Sequence, residues 1–554
     1  MAGGSDGLEE LPYDTQFLLL ELENGSSEEG APQQYGLVLP LLDKGFRASL
    51  RASTTGMQTK EDDHTTMIQV MCTACSGEAA AQKDNDMRAV FIAVGTDPFQ
   101  LLREGFEHVA QATGTFETLS NKQLPPTVNQ FGWCTWDAFY SSINEAGVVE
   151  GVTSLRDAGT PAKFVILDDG WQQVSPSKPA KDEEEISSPN ETSDSINWWQ
   201  KLLQKFYVRH VLAADPESVL FRMFRWFCHS VLKAQFWKFF DTYTDFNRQL
   251  SGFAPNSKFE ELASLGGREK KTLKGMVSKL KEELGVGQVW CWHALHGYWR
   301  GVSEELGRKS GLDVKTVHPE ASASMLRLEP NAAWDPVSLF GVGLLTNAAD
   351  LEKFYEKLHQ PLVDAGIDGV KVDIQSGVSA TGMGTGGPKL TELYTQAMED
   401  SVGKRFRASN GAANGINCMC HSTENLYRYK VTAVARASDD FFPDRPESHT
   451  VHLINVVYNS LFLGEICLPD WDMFHSKHPS AGLHAAARAI GGCPVYVSDA
   501  PGHHDAELLR KLVLPDGSVL RASLPGRPTR DCLFVDVGGD GKSAMKIWNQ
   551  NLAG

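Results

Sequence analysis

Two patterns of apolar and polar positions divide the chain near residue 96. In the N-terminal part, short apolar runs are separated by clusters of Gly, Ser and Asp, which is typical of strands joined by turns. These runs cover residues 15–23, 35–42, 66–75 and 88–94. The pattern predicts a β-rich, sandwich-like domain over residues 1–95. Residues 97–113 then place apolar side chains at helical spacing behind an Asp-Pro start, so we assign 96–125 to a helical linker.

From residue 126 onward, apolar runs alternate with helical stretches, which predicts parallel strands joined by crossovers. Most of these runs become acidic or polar at their C-terminal ends. The eight runs cover residues 131–137, 163–171, 286–295, 367–374, 416–420, 432–440, 460–472 and 493–499. Eight such units predict an α/β fold, a (β/α)8 TIM barrel over residues 126–505. The active site of such a barrel lies at the C-terminal strand ends.

An insertion is predicted at residues 175–255, where the alternation breaks. Residues 175–195 are rich in Ser, Pro and acidic side chains, which favours a disordered linker. Residues 196–250 interleave aromatic and basic side chains at helical spacing. This indicates either a membrane-surface helix or an insertion packed on the barrel, and we favour packing because aromatic stripes usually face a core. After the barrel, residues 506–554 predict the start of a C-terminal β segment.

Composition excludes several classes of protein. The net charge is −18, which disfavours binding nucleic acid through a basic face. No apolar run reaches the roughly 20 residues that span a bilayer. Ten cysteines are too few for a disulfide scaffold, so we expect free thiols. The acidic start of the chain lacks the apolar segment of a secretory signal. The cytoplasm is the predicted location, with a plastid as the alternative.

Acidic residues follow four of the predicted barrel strands. They are Asp168, Asp169, Asp373, Asp439, Asp440, Asp470 and Asp472. Carboxylates accept hydrogen bonds from sugar hydroxyls, and aromatic faces stack on the apolar faces of sugars. Tryptophans lie in the same runs, among them Trp136, Trp171 and Trp290. Acids and tryptophans at one barrel rim therefore predict a carbohydrate site, although each Asp taken singly is equally explained as the cap of the next helix.

Cleavage of a glycosidic bond needs two carboxyl groups with different roles. Lys371 shares a strand face with Asp373, so we expect its ammonium to lie beside that carboxylate and keep it ionised. Arg436 is placed on the same side as Asp440. The neighbouring Asp439 disfavours a second negative charge, which raises a pKa and suits a general acid.

Other candidates have two readings each. His293 and His421, at the ends of the third and fifth predicted strands, either contact a sugar or have structural roles. Trp290 is either a stacking platform or part of the barrel core. A metal site at His503, His504 and Asp505 is weakly indicated, because adjacent residues on a strand point apart.

Several segments together resemble the plant-type members of glycoside hydrolase family 36, the raffinose synthases, alkaline α-galactosidases and seed imbibition proteins. The match runs in order over about residues 10–550, except for 175–255. The segments that carry it are FGWCTWDAFY (131–140), FVILDDGWQ (164–172), GVKVDIQ (369–375), RASDDFFPDRPESHTVH (436–452), PDWDMFHSKHP (469–479), GGCPVYVSD (491–499) and LPGRPTRDCLF (524–534).

The resemblance implies a barrel flanked by β domains and retaining α-galactosyl chemistry that needs neither a metal nor an organic cofactor. Asp373 corresponds to the nucleophile and Asp440 to the acid/base, with Asp439 as the alternative. It also implies galactose contacts from Asp168 and Asp169, from the pocket wall Trp136, and from the residues next to the reacting centre, Lys371 and Arg436. We add to the expected substrate-binding set the residues Trp171, Trp290, His293, Asp470 and Asp472.

The expected substrates are small sugars, namely galactinol, sucrose and raffinose-type α-galactosides. Transfer of galactose from galactinol to sucrose makes a galactinol–sucrose galactosyltransferase, and transfer to water makes an α-galactosidase. The motifs do not separate these two activities. A catalytically weak, sugar-binding seed imbibition-type protein is the alternative.

Overall fold

The structure is a computed structural model of the 554-residue chain. It describes residues 11, 15–23, 32–52, 68–74, 86–176, 247–259, 272–319, 337, 341–381 and 387–551. Of the predicted insertion, residues 177–246 lie outside this set, and with them nearly all of the aromatic stretch.

The N-terminal region contains two antiparallel sheets, with the strand orders β1-β2-β6 and β3-β4-β5. Their strands are β1 (Leu18–Leu22), β2 (Gln34–Pro40), β3 (Leu42–Asp43), β4 (Phe46–Ala52), β5 (Ile68–Ala74) and β6 (Val90–Gly95). Alternate residues of β2, Tyr35, Leu37 and Leu39, are buried, as the two-residue period of a strand requires. The β-rich N-terminal region is therefore confirmed, although β4, whose apolar residues alternate with arginines, is missed by a search for continuous apolar runs.

A helix over Pro98–Thr113 follows the sheets, at the predicted place. The Asp97 carboxylate caps it by accepting the backbone N–H groups of Phe99 and Gln100, both at 2.9 Å. Gly114 ends it in the left-handed conformation with φ = 66°, which a residue without Cβ adopts at little cost.

The remaining strands form the barrel and three small two-stranded sheets. They are β7 (Phe131–Cys134), β8 (Phe164–Leu167), β9 (Gln172–Pro176), β10 (Arg248–Pro255), β11 (Gln288–Ala294), β12 (Val314–Val317), β13 (Val342–Leu345), β14 (Gly369–Asp373), β15 (Ala413–Asn417), β16 (Thr432–Arg436), β17 (Leu468–Asp470), β18 (Val495–Val497), β19 (Arg527–Pro528) and β20 (Ile547–Trp548). Within the described ranges, the largest sheet has eight strands in the order β17-β16-β15-β14-β11-β8-β7-β18. Neighbouring strands in it are parallel.

This sheet closes into a barrel where Phe474 pairs in parallel with Val497. Inside it, apolar side chains such as Phe164, Ile166, Trp290 and Val434 pack into one cluster. The predicted (β/α)8 barrel is confirmed.

Helices connect the barrel strands on the outside. Their bounds are Trp136–Phe139, Glu145–Asp157, Leu273–Glu282, Glu304–Ser310, Ala348–Asp364, Gly377–Thr381, Gly387–Arg405, Thr423–Leu426, Ser448–Leu463, Ala481–Gly491 and Ala506–Leu509. Several begin at a side-chain cap. Asn347, for example, accepts the backbone N–H of Asp350 at 2.9 Å.

Three segments differ from the sequence expectation. The predicted strand at 460–472 is the end of the helix Ser448–Leu463, then a turn, then β17, because a short, mostly apolar run has no clear period that separates helix from strand. The fifth strand, β15, begins three residues before the predicted run. Residues 506–551 have less regular β structure than the pattern predicts, with one pair of two-residue strands.

The two ends of the predicted insertion lie side by side. Strand β9 pairs antiparallel with β10, with Pro176 opposite Arg248. The chain therefore leaves the barrel and returns to it at the same place.

Candidate active site

Charged side chains from β8, β14, β16 and β17 converge at the C-terminal end of the barrel. Asp168, Lys371, Asp373, Arg436, Asp470 and Asp472 are all buried there. We call the space between them the cleft. Parallel barrel strands expose their carboxyl ends on one face, so residues far apart in sequence meet there.

Lys371 forms a buried ion pair with Asp168. Its Nζ lies 2.7 Å from Asp168 Oδ2, and the same oxygen accepts a hydrogen bond from Cys134 Sγ at 3.2 Å. Burial alone would lower the pKa of Lys371, but the carboxylate of Asp168 raises it well above the ordinary value. Asp168 and Lys371 are therefore a neutral pair of permanent opposite charges.

This pairing corrects the expectation that Lys371 contacts Asp373. The two residues do share a strand face, but their Cα atoms are about 6.6 Å apart along a strand, at roughly 3.3 Å per residue. The long, flexible stem of the lysine carries its ammonium across the barrel to β8 instead.

Two hydrogen bonds orient the carboxylate of Asp373. Oδ2 accepts the indole N–H of Trp292 at 3.0 Å, and Oδ1 accepts the backbone N–H of Ile374 at 2.7 Å. Ile374 has φ = 56°, which costs a β-branched residue about 1–3 kcal/mol. Such strain persists where the surroundings enforce it, and here it falls on the residue directly after Asp373.

Arg436 holds three carboxylates at once. Its guanidinium lies 2.8 Å from Asp440, 3.2 Å from Asp470 and 2.7 Å from Asp472. It also lies within 3.4 Å of the Tyr496 hydroxyl, which donates to Asp470 at 2.7 Å. One positive charge against three negative ones leaves an excess of negative charge in a dry environment.

Two of these carboxyls have a raised pKa. Burial raises the pKa of Asp472 to about 7, opposed by Arg436 and reinforced by the charges of Asp440 and Asp470. The pKa of Asp440 is raised by burial, opposed by Arg436 and reinforced by the charge of Asp373. Asp440 keeps 47% of its side chain exposed, so its carboxyl group is accessible.

Asp439 contributes less to Asp440 than its adjacency suggests. Its side chain is exposed, and its Oδ1 accepts the backbone N–H of Asp440 at 3.0 Å. Among the causes that raise the pKa of Asp440, Asp439 ranks below burial and Asp373. Neighbours on an extended chain point apart, which is why adjacency in sequence is a poor measure of coupling.

The predicted aromatic residues divide into three groups. Trp136 is half-buried after β7, with its ring edge-on to Tyr140 at 5.2 Å. Trp171 is buried and donates its indole N–H to the backbone carbonyl of Trp292 at 2.8 Å, so it supports the cleft from behind. Trp290 is fully buried in the barrel core, with its indole N–H bound to Gln288, and does not reach the cleft.

His293 also lies away from the cleft. It is one position from Trp292 on β11 and therefore faces the helices, where its Nε2 is 3.0 Å from His359 Nε2. Burial lowers its pKa to about 4, so it is neutral. Asp169 remains near the opening, where its Oδ2 accepts from Tyr298 and Trp299 at 3.1 and 3.0 Å.

Three residues at the cleft are outside the candidate set that the sequence predicts, although Trp292 lies in one of its tryptophan-bearing runs. Trp292 binds Asp373, and Trp299 binds Asp169. Cys418 is buried close enough to Asp373 and Asp440 for both charges to raise the pKa of its thiol, after the larger effect of burial. The two-residue period on β11 was the available signal for Trp292, since it shares the face of Trp290 but lies nearer the carboxyl end.

The weakly indicated metal site is not assembled. His504 Nδ1 lies 3.3 Å from Asp499, while Asp505 caps the helix Ala506–Leu509. Among the described residues, no group of three His, Cys, Asp or Glu side chains is arranged to hold a metal ion. In the same part of the chain, no helix combines the length and apolarity needed to cross a membrane.

A sequence model of the family described as "Raffinose synthase or seed imbibition protein Sip1" matches residues 3–554. The chain belongs to this family. The resemblance seen in the sequence motifs is thereby confirmed.

Members of the raffinose synthase family are also found among the curated relatives. The chain is 40% identical over 553 residues to "Probable galactinol--sucrose galactosyltransferase 6" of Arabidopsis thaliana, covering 98% of this chain and 63% of that protein. It is 34% identical over 560 residues to "Galactinol--sucrose galactosyltransferase" of Pisum sativum, covering 99% and 61%. The chain thus spans less than two thirds of the length of these relatives.

Among solved structures, the GH36 α-galactosidase AgaA from Geobacillus stearothermophilus is 12% identical. The TM-score is 0.43, and the match covers 90% of this chain and 57% of that one.

Proposed function

We propose that the protein is a retaining α-galactosyl-processing enzyme of raffinose-family oligosaccharide metabolism. It transfers galactose from galactinol or a raffinose-type donor to sucrose, or to water. The observation that carries the proposal is the pairing of two unlike carboxyl groups in one cleft. Asp373 is fixed by two donors, whereas Asp440 has a raised pKa and an exposed edge. The names of the two plant relatives favour transfer to sucrose over hydrolysis.

In the first step, Asp373 attacks the anomeric carbon of the bound galactosyl group. Asp440 gives its proton to the departing oxygen, and a covalent galactosyl–enzyme forms. In the second step, Asp440 takes the proton of the acceptor hydroxyl. The acceptor oxygen then bonds to the anomeric carbon while the bond to Asp373 breaks, so the configuration is retained.

The other buried groups bind and orient the galactose in this proposal. Asp168 and Asp169 accept hydrogen bonds from its hydroxyls, and Trp136 supplies an apolar wall. Lys371 and Arg436 donate to oxygens near the reacting centre. Asp470 and Asp472 hold Arg436 in place, and Trp171 holds the backbone of Trp292.

The setting we propose is the cytoplasm of a plant or green alga. The described cysteines are free, and Cys134, Cys291 and Cys418 are among those buried in the barrel. Free thiols fit a reducing compartment.

Azide rescue tests the two roles separately. In Asp373→Gly, we expect turnover of an aryl α-galactoside to fall by at least about 10³-fold, and added azide to yield the β-galactosyl azide. In Asp440→Gly, azide attacks the galactosyl–enzyme from the other face and yields the α-galactosyl azide. Asp439→Gly is the matched control and should need no rescue.

Two outcomes would contradict the proposal. Full turnover by Asp373→Gly would remove the nucleophile. Proton NMR showing β-galactose as the first product of the wild-type enzyme would remove retention. Sugar binding without any bond cleavage at high protein concentration would instead support the seed imbibition-type alternative.

A further inference from the structure

A polar cavity of about 590 Å³ lies beside the cleft, between the N-terminal strands and the barrel. Gln16 and Arg47 line it from the N-terminal side. Ser376, Met419 and Ser438 line it from the loops that follow β14, β15 and β16. We call it the side cavity. Its volume is within the roughly 300–1,000 Å³ of typical small-molecule sites.

The side cavity begins where the cleft ends. Ser376 is three residues after Asp373, and Met419 is next to Cys418. Asp439, whose carboxylate lines the cavity, is the chain neighbour of Asp440. His421, which also lines the cavity, has its Nε2 2.6 Å from the backbone carbonyl of Arg436, and Asp439 Oδ1 accepts the backbone N–H of Asp440 at 3.0 Å, so the side cavity adjoins the cleft.

The lining chemistry suits an uncharged ligand rich in hydroxyls. Serine, asparagine, glutamine and threonine side chains offer both donors and acceptors. The charged side chains that line the cavity within the described ranges are Arg47 and Asp439, one of each sign. Burial lowers the pKa of the third ionisable group, His421, so it is neutral. This composition differs from the cleft, where carboxylates dominate.

The cavity is held open by contacts between the two regions. Gln16 Nε2 donates to the backbone carbonyl of His421 at 2.6 Å and to Thr423 Oγ1 at 3.2 Å. Arg47 lies 3.6 Å from the fully buried carboxylate of Glu424. These contacts fix the N-terminal strands against the loop after β15, so the site is preorganised.

We propose that the side cavity binds the acceptor of the transfer, an uncharged, hydroxyl-rich sugar unit such as sucrose. This inference rests on the proposed function and extends it. During transfer, a hydroxyl of the bound acceptor gives its proton to Asp440. Its oxygen forms the new bond to the anomeric carbon as the bond to Asp373 breaks. The N-terminal strands thus help to select water or sugar as the acceptor.

Filling the cavity is the test. Asn455 lines it from the exposed face of the helix Ser448–Leu463 and lies outside the cleft, so Asn455→Trp occupies the space without touching the catalytic pair. We expect the sucrose concentration for half-maximal transfer to rise at least tenfold. Hydrolysis of a small aryl α-galactoside should stay within twofold. Gln396→Trp, on an exposed helix position elsewhere, is the matched control.

Two donor arms separate the acceptor from the leaving group of the donor. A raised KM for galactinol with an unchanged sucrose requirement assigns the cavity to the leaving group alone and overturns the acceptor role. Unchanged sucrose transfer in Asn455→Trp overturns the inference as well.

Saturation-transfer NMR of sucrose keeps the inference testable apart from turnover. If the wild-type protein cleaves no galactoside, the proposed function fails. Sucrose signals that persist in Gln396→Trp and vanish in Asn455→Trp would still support the cavity as a sugar site. Absence of sucrose binding in the wild-type protein, or binding that Asn455→Trp leaves intact, would overturn it.

Discussion

Two buried cations organise the two sides of the cleft differently. Lys371 meets one carboxylate, Asp168, and the pair is neutral without any proton transfer. Arg436 meets three carboxylates, and burial together with the surplus of negative charge raises the pKa of Asp472 and of Asp440. The comparison shows that one barrel rim carries a fixed ion pair on one side and, on the other side, carboxyl groups whose pKa is raised. Both sides contain an ion pair. They differ in the number of carboxylates around the cation, which is one at Lys371 and three at Arg436.

Removing the positive charge of Arg436 should have the largest effect on stability. In Arg436→Met, Asp470 and Asp472 lose their cation while fully buried. We expect the free energy of unfolding to fall by about 3–5 kcal/mol, as when a buried pair loses one partner. Urea unfolding monitored by tryptophan fluorescence measures this. A loss below that for Lys371→Met would contradict the comparison.

Lys371→Met should destabilise the protein less. It leaves one buried carboxylate, Asp168, which still has hydrogen bonds from Cys134 and the backbone of Asp169. We expect a loss of about 3 kcal/mol, at the low end of the range for a broken buried pair. The same urea experiment, run with both variants at one pH, compares them directly.

The raised pKa of Asp472 predicts that the free energy of unfolding depends on pH. Asp472 binds its proton more tightly in the folded protein, since its pKa rises from the ordinary 3.8 to about 7. Folding therefore binds protons between these values, so the contribution of Asp472 to stability falls as the pH rises from about 4 to about 7 and is constant above. Asp472→Asn should flatten the slope of the unfolding free energy against pH in that window. An unchanged slope would assign the proton elsewhere.

Asp439→Asn should have the smallest effect. Its side chain is exposed, and an amide oxygen still accepts the backbone N–H of Asp440. We expect stability within about 0.5 kcal/mol of wild type, as for most surface substitutions, and aryl α-galactoside hydrolysis within about threefold. Initial rates across pH check this, and a shifted acidic limb would show that Asp439 controls the acid/base after all.

Much of the fold and of the cleft could be predicted because both depend on local rules. Apolar runs that end in acids located the barrel strands, and the ends of parallel strands meet on one rim. The expectations that failed depend on how far a side chain extends and on which face of the barrel it lies. Lys371 was assigned to Asp373 because the two share a strand face, whereas the length of its stem selects Asp168. Trp290 and His293 are residue types that suit a sugar site, but neither faces the cleft. Trp290 lies in the barrel core, and His293 lies on the outer face of the barrel.

The way the barrel closes has a consequence for its dynamics. In the described part of the chain, the barrel closes through an isolated bridge between Phe474, four residues after β17, and Val497 of β18. The Tyr496 hydroxyl of β18 also donates a hydrogen bond to Asp470 of β17. The junction between these two end strands of the barrel sheet is thus held by Asp470, a carboxylate that also binds Arg436. Opening of this junction breaks the hydrogen bond between Tyr496 and Asp470. Amides along the junction should therefore exchange with solvent more readily when the charges around Arg436 change.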